Sequence, residues 1–237
     1  MSETTNATQQ YENENYEQKC LCVLVLDTSG SMNANGAIDE LNKGLKTFKD
    51  VTMQDSTTRD RLEIAIVSFN SKVEEVQKAE ILPNVQMPTL AATGQTHLVE
   101  AIEKAQSIVE ERKKYYKSQG IPYYRPWIVV MTDGDPYPQG QDIDGIATRI
   151  QNDADNKKYV FFIIGIGNEV QDSTLSTLAA TQWPAVRMAD VKFEEFFTWL
   201  SASTTAVVTP SQDNTGSSVE TPDVSPWATG FVIGTSV

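Results

Sequence analysis

A doubly wound α/β fold is the architecture this 237-residue sequence predicts, and three features predict it. Short apolar runs of strand length alternate with stretches whose apolar residues recur at helical spacing, the mark of βαβ units and a mostly parallel sheet. The run Tyr159 to Ile166 is apolar almost without a break, as expected of a strand buried on both faces. Polar segments containing glycine follow Leu26 and Met131, at strand carboxyl ends, where open α/β sheets bind their ligands.

The elements follow in order. Cys20 to Leu26 is the first strand, and Ile38, Leu41, Leu45 and Phe48 form the apolar stripe of a helix. Leu62 to Phe69 is a second strand. Lys72 to Gln77, with valines among charges, reads as a short exposed edge strand. Pro83, Pro88 and Gly94 make Glu80 to Gln95 a long loop. Thr96 opens a helix with Leu98, Ile102, Ala105 and Val109 on its apolar face, and Glu100 four residues before Lys104 supports it. Trp127 to Met131 is a strand, and Ile143, Ile146 and Ile150 mark the next helix. After Tyr159 to Ile166 come a short helix at Leu175 and Leu178, a strand at Ala185 to Met188, and a final helix carrying Phe193, Phe196, Phe197 and Leu200. The expected sheet thus has six strands, one of them an antiparallel edge, with helices on both faces.

Residues 1–18, rich in Asn, Gln, Glu and Thr, are expected to be disordered. Residues 19–205 form the domain, and 206–237 a polar linker, Thr209 to Ser225, with a short apolar tail. Trp227, Phe231, Val232 and Ile233 give that tail two readings: a strand offered to a partner, or packing on its own domain.

The net charge of −13 and the lack of a Lys/Arg run exclude a nucleic-acid-binding face. The polar stretch Met1 to Lys19 has no apolar centre and does not read as a signal peptide, and no apolar run approaches the roughly 20 residues of a membrane span. Cys20 and Cys22 share one face of a strand, spaced poorly for a disulfide, and read as buried thiols. These features predict a cytoplasmic protein. The sequon Asn6-Ala7-Thr8 has no meaning in that setting.

Asp27-Thr28-Ser29-Gly30-Ser31 places a carboxylate and two hydroxyls at alternate positions on a turn after the first strand. Hard oxygen ligands of this kind suit a divalent cation such as Mg²⁺. An ordinary turn with Ser31 capping the next helix explains Asp27 or Ser31 alone, but not two further residues. Those are Thr96, closing Ala92-Thr93-Gly94-Gln95-Thr96, and Asp133, after the central strand.

The set resembles the metal-ion-dependent adhesion site of von Willebrand factor A domains: Asp-x-Ser-x-Ser, a Thr in a Gly-containing loop before a helix, and an Asp after a central strand. The resemblance spans residues 20 to about 204 and implies a Rossmann-like fold. Within the family the chain is most similar to bacterial TerY-like proteins of the tellurite-resistance type. The likeness rests on Val25 to Met32, Val130 to Pro136, Phe162 to Gly167 and Phe196 to Ser203. It implies that Asp27, Ser29, Ser31, Thr96 and Asp133 hold Mg²⁺, with Mn²⁺ or Ca²⁺ as alternatives. It also implies that a protein partner supplies an Asp or Glu to the metal. Such proteins are associated with stress-response and phage-defence gene clusters, beside a serine/threonine kinase and a phosphatase, either of which is a candidate partner.

Other residues carry less. His97 is the only histidine, which makes a zinc site impossible, and it reads as a surface or packing residue. Asp135 reads as the start of a turn with Pro136 rather than as a holder of a ligand water. Gly165-Ile166-Gly167 lacks the third glycine of a dinucleotide loop. Tyr115, Tyr116, Tyr123, Tyr124 and Trp127 read as cover for the sheet edge. With no phosphate loop and no base beside a nucleophile, a non-enzymatic binding module is expected over a phosphoryl-transfer enzyme, and an exported adhesin lacks its signal.

Overall fold

Strand β1 (Cys20–Asp27) organises the molecule, and every one of its residues is buried. Cys20, Cys22, Leu24 and Leu26 enter one core, while Leu21, Val23 and Val25 enter the other. A strand with apolar side chains on both faces must lie between two helical layers. The computed structural model describes residues 17–188, 190–208 and 227–232. Most of the N-terminal segment, the Thr209 to Ser225 linker and Ile233 lie outside the described residues.

Strands β2 (Leu62–Phe69) and β4 (Trp127–Thr132) flank β1 in parallel. Beyond them lie β3 (Val73–Ile81) on one side, and β5 (Val160–Ile166), β6 (Ala185–Met188) and β7 (Ala228–Val232) on the other. The order is β3-β2-β1-β4-β5-β6-β7, so the connections change direction between β1 and β4. The register aligns Leu26 with Met131, which brings the turn after Asp27 beside Asp133.

The sheet therefore has seven strands, not the six expected, and both edges are antiparallel: β3 on β2, and β7 on β6. The seventh comes from the C-terminal tail, which packs on its own domain. At the other edge β3 runs to Ile81, into the stretch expected to be loop. Its residues alternate between half-buried and exposed, and its Glu and Lys side chains blunt the edge.

Helices α1 (Ala37–Thr52), α2 (Ser56–Arg61) and α6 (Phe193–Val208) cover one face. The other carries α3 (Leu98–Gln119), α4 (Ile143–Asp155) and α5 (Asp172–Leu178). Helix α2 has no apolar stripe to announce it. It is held by the Asp55 carboxylate, which accepts from the Thr58 N–H at 2.7 Å, and by a 3.0 Å contact between the Thr58 and Thr205 hydroxyls.

At the amino ends of the strands, Glu63 is buried. Arg112 donates to its two oxygens at 2.6 and 2.8 Å, and the Tyr116 hydroxyl donates at 2.5 Å. Tyr116 stacks on Tyr123 with ring centroids 5.2 Å apart, so these tyrosines close the strand amino ends rather than a sheet edge. Cys20 and Cys22 are buried and unbridged, and burial pushes the Cys20 thiol up to about 12, which keeps it unreactive.

Helices α1 and α6 meet at Gly44. A β-carbon there would lie 2.6 Å from a Phe197 ring carbon and 3.0 Å from the Phe193 β-carbon. The missing side chain lets Phe197 reach Phe48, centroid to centroid 5.7 Å. Gly44→Ala gains helix propensity of about 1 kcal/mol but overpacks this contact, at a cost of about 1–3 kcal/mol. Urea unfolding is expected to show a lower midpoint for the variant; a midpoint equal to or above the unaltered chain's contradicts this account of the helix pair.

Candidate metal site

Three loops converge above the carboxyl ends of β1 and β4. The first leaves β1 at Asp27, whose side chain is buried at the strand terminus. Its Oδ1 accepts from the Ser29 N–H at 2.7 Å, and its Oδ2 from the Thr132 hydroxyl at 2.6 Å. The chain then makes a 3-10 segment over Gly30–Gly36 before α1 begins. Ser29 makes no side-chain cap there, and the residue capping α1 is Gly36, not Ser31. The two serine hydroxyls are thus not spent on helix capping. They lie 2.9 Å from each other and face Asp133, Ser31 Oγ donating to its Oδ1 at 2.7 Å and Ser29 Oγ lying at 3.4 Å.

Thr96 sits two residues before α3, outside the helix it was expected to open; His97 holds the capping position. Its backbone N–H and C=O both pair with Tyr137, each at 3.0 Å, which fixes it against the loop after β4. A β-carbon on Gly134 would lie 3.8 Å from Thr96 Oγ1 and 3.9 Å from Ser31 Oγ. Both hydroxyls therefore border one small volume, which the glycine keeps clear. The first two loops are laced together by main-chain bonds, Gly30 N to Gly94 O at 3.1 Å and Thr93 N to Thr28 O at 2.8 Å. Asp27, Ser29, Ser31 and Asp133 thus lie in one hydrogen-bonded group, and Thr96 lies beside it.

The electrostatics of this group are unbalanced. Burial raises the Asp27 carboxyl to about 6, against the hydrogen bonds from Thr132 and Ser29 that lower it. Asp133 is also raised, again chiefly by burial. Among the described residues neither carboxylate has a basic partner. Two buried carboxylates, two serine hydroxyls and a threonine hydroxyl form an all-oxygen donor set that fits a hard divalent cation. Such a cation would offset the charge that the fold leaves unpaired.

Sequence reasoning missed Thr132, whose hydroxyl orients Asp27 and also lies 2.9 Å from the Gly134 carbonyl oxygen. Its only sequence signal is a hydroxyl at the strand end beside Asp133. Asp135 does more than begin a turn: Gln171 donates to it from its N–H at 3.1 Å and its Nε2 at 2.7 Å, tying this loop to the start of α5. His97 is partly exposed, with Nδ1 3.5 Å from a Glu100 oxygen, and takes no part in the oxygen group.

Comparison with known proteins agrees with this geometry. The family model of the von Willebrand factor type A domain matches residues 22–199, and the chain belongs to that family. A comparison with curated proteins finds no match. Among solved structures, the chain is similar to proximal thread matrix protein 1 from the mussel byssus, with a zinc-occupied MIDAS motif. Identity is 17%, coverage 78% of this chain and 46% of that one, and the TM-score 0.57. It is also similar to the pilus adhesin SpaC from Lactobacillus rhamnosus GG, at 12% identity, covering 81% and 31%, with a TM-score of 0.60. The PilB minor pilin from Streptococcus sanguinis is 14% identical over 81% of this chain and 63% of that one, with a TM-score of 0.53. The chain thus spans between 31% and 63% of these proteins' lengths. At such identities the likeness is one of fold.

Asp27 sets a pH dependence for the metal-free protein. Its folded value of about 6 lies above the ordinary 3.8, so the native state holds this proton more tightly than the unfolded chain. The resulting stabilisation is present below about pH 4 and is lost as pH rises through 6, on the order of 2–3 kcal/mol in all. In EDTA, urea unfolding from pH 7.5 to pH 5 is expected to show the unaltered chain gaining stability relative to Asp27→Asn, which cannot titrate. Parallel pH curves for the two contradict it.

Proposed function

We propose that this chain is a Mg²⁺-dependent protein-interaction module in which Asp27, Ser29, Ser31, Thr96 and Asp133 hold the cation, with Mn²⁺ or Ca²⁺ able to replace it. The observation that carries the reading is the convergence of two unpaired buried carboxylates and three hydroxyls at the switch point of the sheet. The cation supplies an electrophilic position for a carboxylate from a partner. The chain's own residues do the rest. Thr132 and the Ser29 N–H orient Asp27, the Ser31 hydroxyl orients Asp133, and the Tyr137 main chain holds Thr96 in place. Family membership supports a binding module over an enzyme.

The finer reading is a TerY-like protein of a cytoplasmic bacterial stress-response or phage-defence assembly, its partner an associated kinase or phosphatase that presents an Asp or Glu. The residue likenesses over Val25 to Met32, Val130 to Pro136 and Phe196 to Ser203 support it. Among the described residues no helix is long and apolar enough to cross a membrane.

Calorimetric titration with Mg²⁺ and Mn²⁺ tests the assignment. Thr132→Val is expected to weaken binding about 10- to 100-fold, as loss of an orienting partner does, and Asp27→Ala to weaken it further. Affinity purification with and without EDTA then identifies the partner. Equal metal affinity in Asp27→Ala and the unaltered chain sinks the assignment.

A further inference from the structure

Strand β7 completes the sheet as its edge beyond β6. It pairs with β6 over Ala185 to Met188, with a register irregularity between Arg187 and Met188. It lies beyond residue 199, where the family match ends. Residues 209–226, rich in Pro, Ser, Thr and Asp, separate it from Val208 in the sequence. The anchor of the segment is Trp227, only 1% exposed. Its ring meets Phe196 edge to face at 5.0 Å between centroids and lies tilted on Trp199 at 5.3 Å.

That anchor is imperfect. Among the described residues Trp227 Nε1 is the buried side-chain nitrogen or oxygen left without a hydrogen-bond partner. An unpaired buried donor costs free energy that a water-exposed indole does not pay. The segment is therefore held by its indole on the aromatic face of α6 and by main-chain pairing with β6, and only the first of these selects a side chain. Ala228 packs against the same core, and Gly230 is paired opposite Arg187, so small residues alternate along the strand.

We propose that the β6 edge and the aromatic face of α6 form a second docking site, independent of the metal. The chain's own Trp227–Val232 fills it in cis, and an extended partner segment of like chemistry, an indole ahead of a short strand, displaces it. The partner adds a strand to the sheet by main-chain pairing, with the stacked rings of Phe196 and Trp199 selecting the aromatic residue. The cis strand acts as a competitor that sets the threshold for entry.

The test uses the full chain and a fluorescein-labelled peptide of residues 225–237, followed by anisotropy. Trp227→Ala in the chain weakens the cis competitor, so the peptide is expected to bind this variant at least tenfold tighter than the unaltered chain. EDTA should leave the binding unchanged, which separates this site from the metal reading. A peptide carrying the Trp227→Ala change should lose the binding. Absence of saturable binding, or equal binding by both chains, overturns the proposal. Hydrogen exchange of the unaltered chain provides a check without substitution. The β7 amides should exchange at least 100-fold faster than those of β4, and equal protection overturns the proposal. Concentration-dependent dimers that trade the strand between copies would assign the site to self-exchange and overturn the partner reading.

Discussion

The buried Asp27 carboxylate at the end of an otherwise apolar strand is the constraint around which this molecule is arranged. β1 has no polar side chain before it, so the strand lies between two cores, and its last residue carries a charge into a poorly solvated position. An unpaired buried carboxylate is costly and raises its own pKa rather than staying charged without help. The fold supplies partial relief through the Ser29 N–H and the Thr132 hydroxyl, and places a second carboxylate, Asp133, close by. Bringing two acids together at a strand end makes sense where a cation completes the balance.

The neutral members of the group explain its selectivity of form. Ser29, Ser31 and Thr96 contribute oxygen without adding charge, so the site is not so anionic that it must collapse by protonation. Ser31 keeps Asp133 oriented, and Gly134 faces the hydroxyls of Thr96 and Ser31, where a β-carbon would come into van der Waals contact with both. The main-chain bonds between the Thr28–Gly30 and Thr93–Gly94 loops hold the first two loops in register, so the site does not depend on side-chain contacts alone.

Much of this was legible in the residues. The β1 run, the doubly buried β5 and the order Asp27-x-Ser29-x-Ser31, Thr96, Asp133 all carry patterns whose physics is local, and the topology then brings them together. The misses share a cause. β7 is short, and a polar stretch separates it from the rest, so nothing local says which edge it joins. Helix α2 has no amphipathic stripe and exists through the Asp55 cap and a long-range hydroxyl pair. Thr132 and Asp135 owe their roles to partners 105 and 36 residues away in the chain. Glu63 reads as a stray charge in a strand until Arg112 and Tyr116 are folded against it.

The two edges of the sheet are treated differently. β3 is blunted by charge, whereas β6 is covered by a tail anchored on α6, the helix that packs on α1 through Gly44 and Phe197. Helix α1 in turn follows the loop that carries Ser29 and Ser31. The central claim remains the cation itself. Crystals grown with Mn²⁺ and measured at the manganese absorption edge address it directly. The account predicts one anomalous peak among Asp27, Ser29, Ser31, Thr96 and Asp133. No peak there, or a peak elsewhere on the molecule, would contradict it.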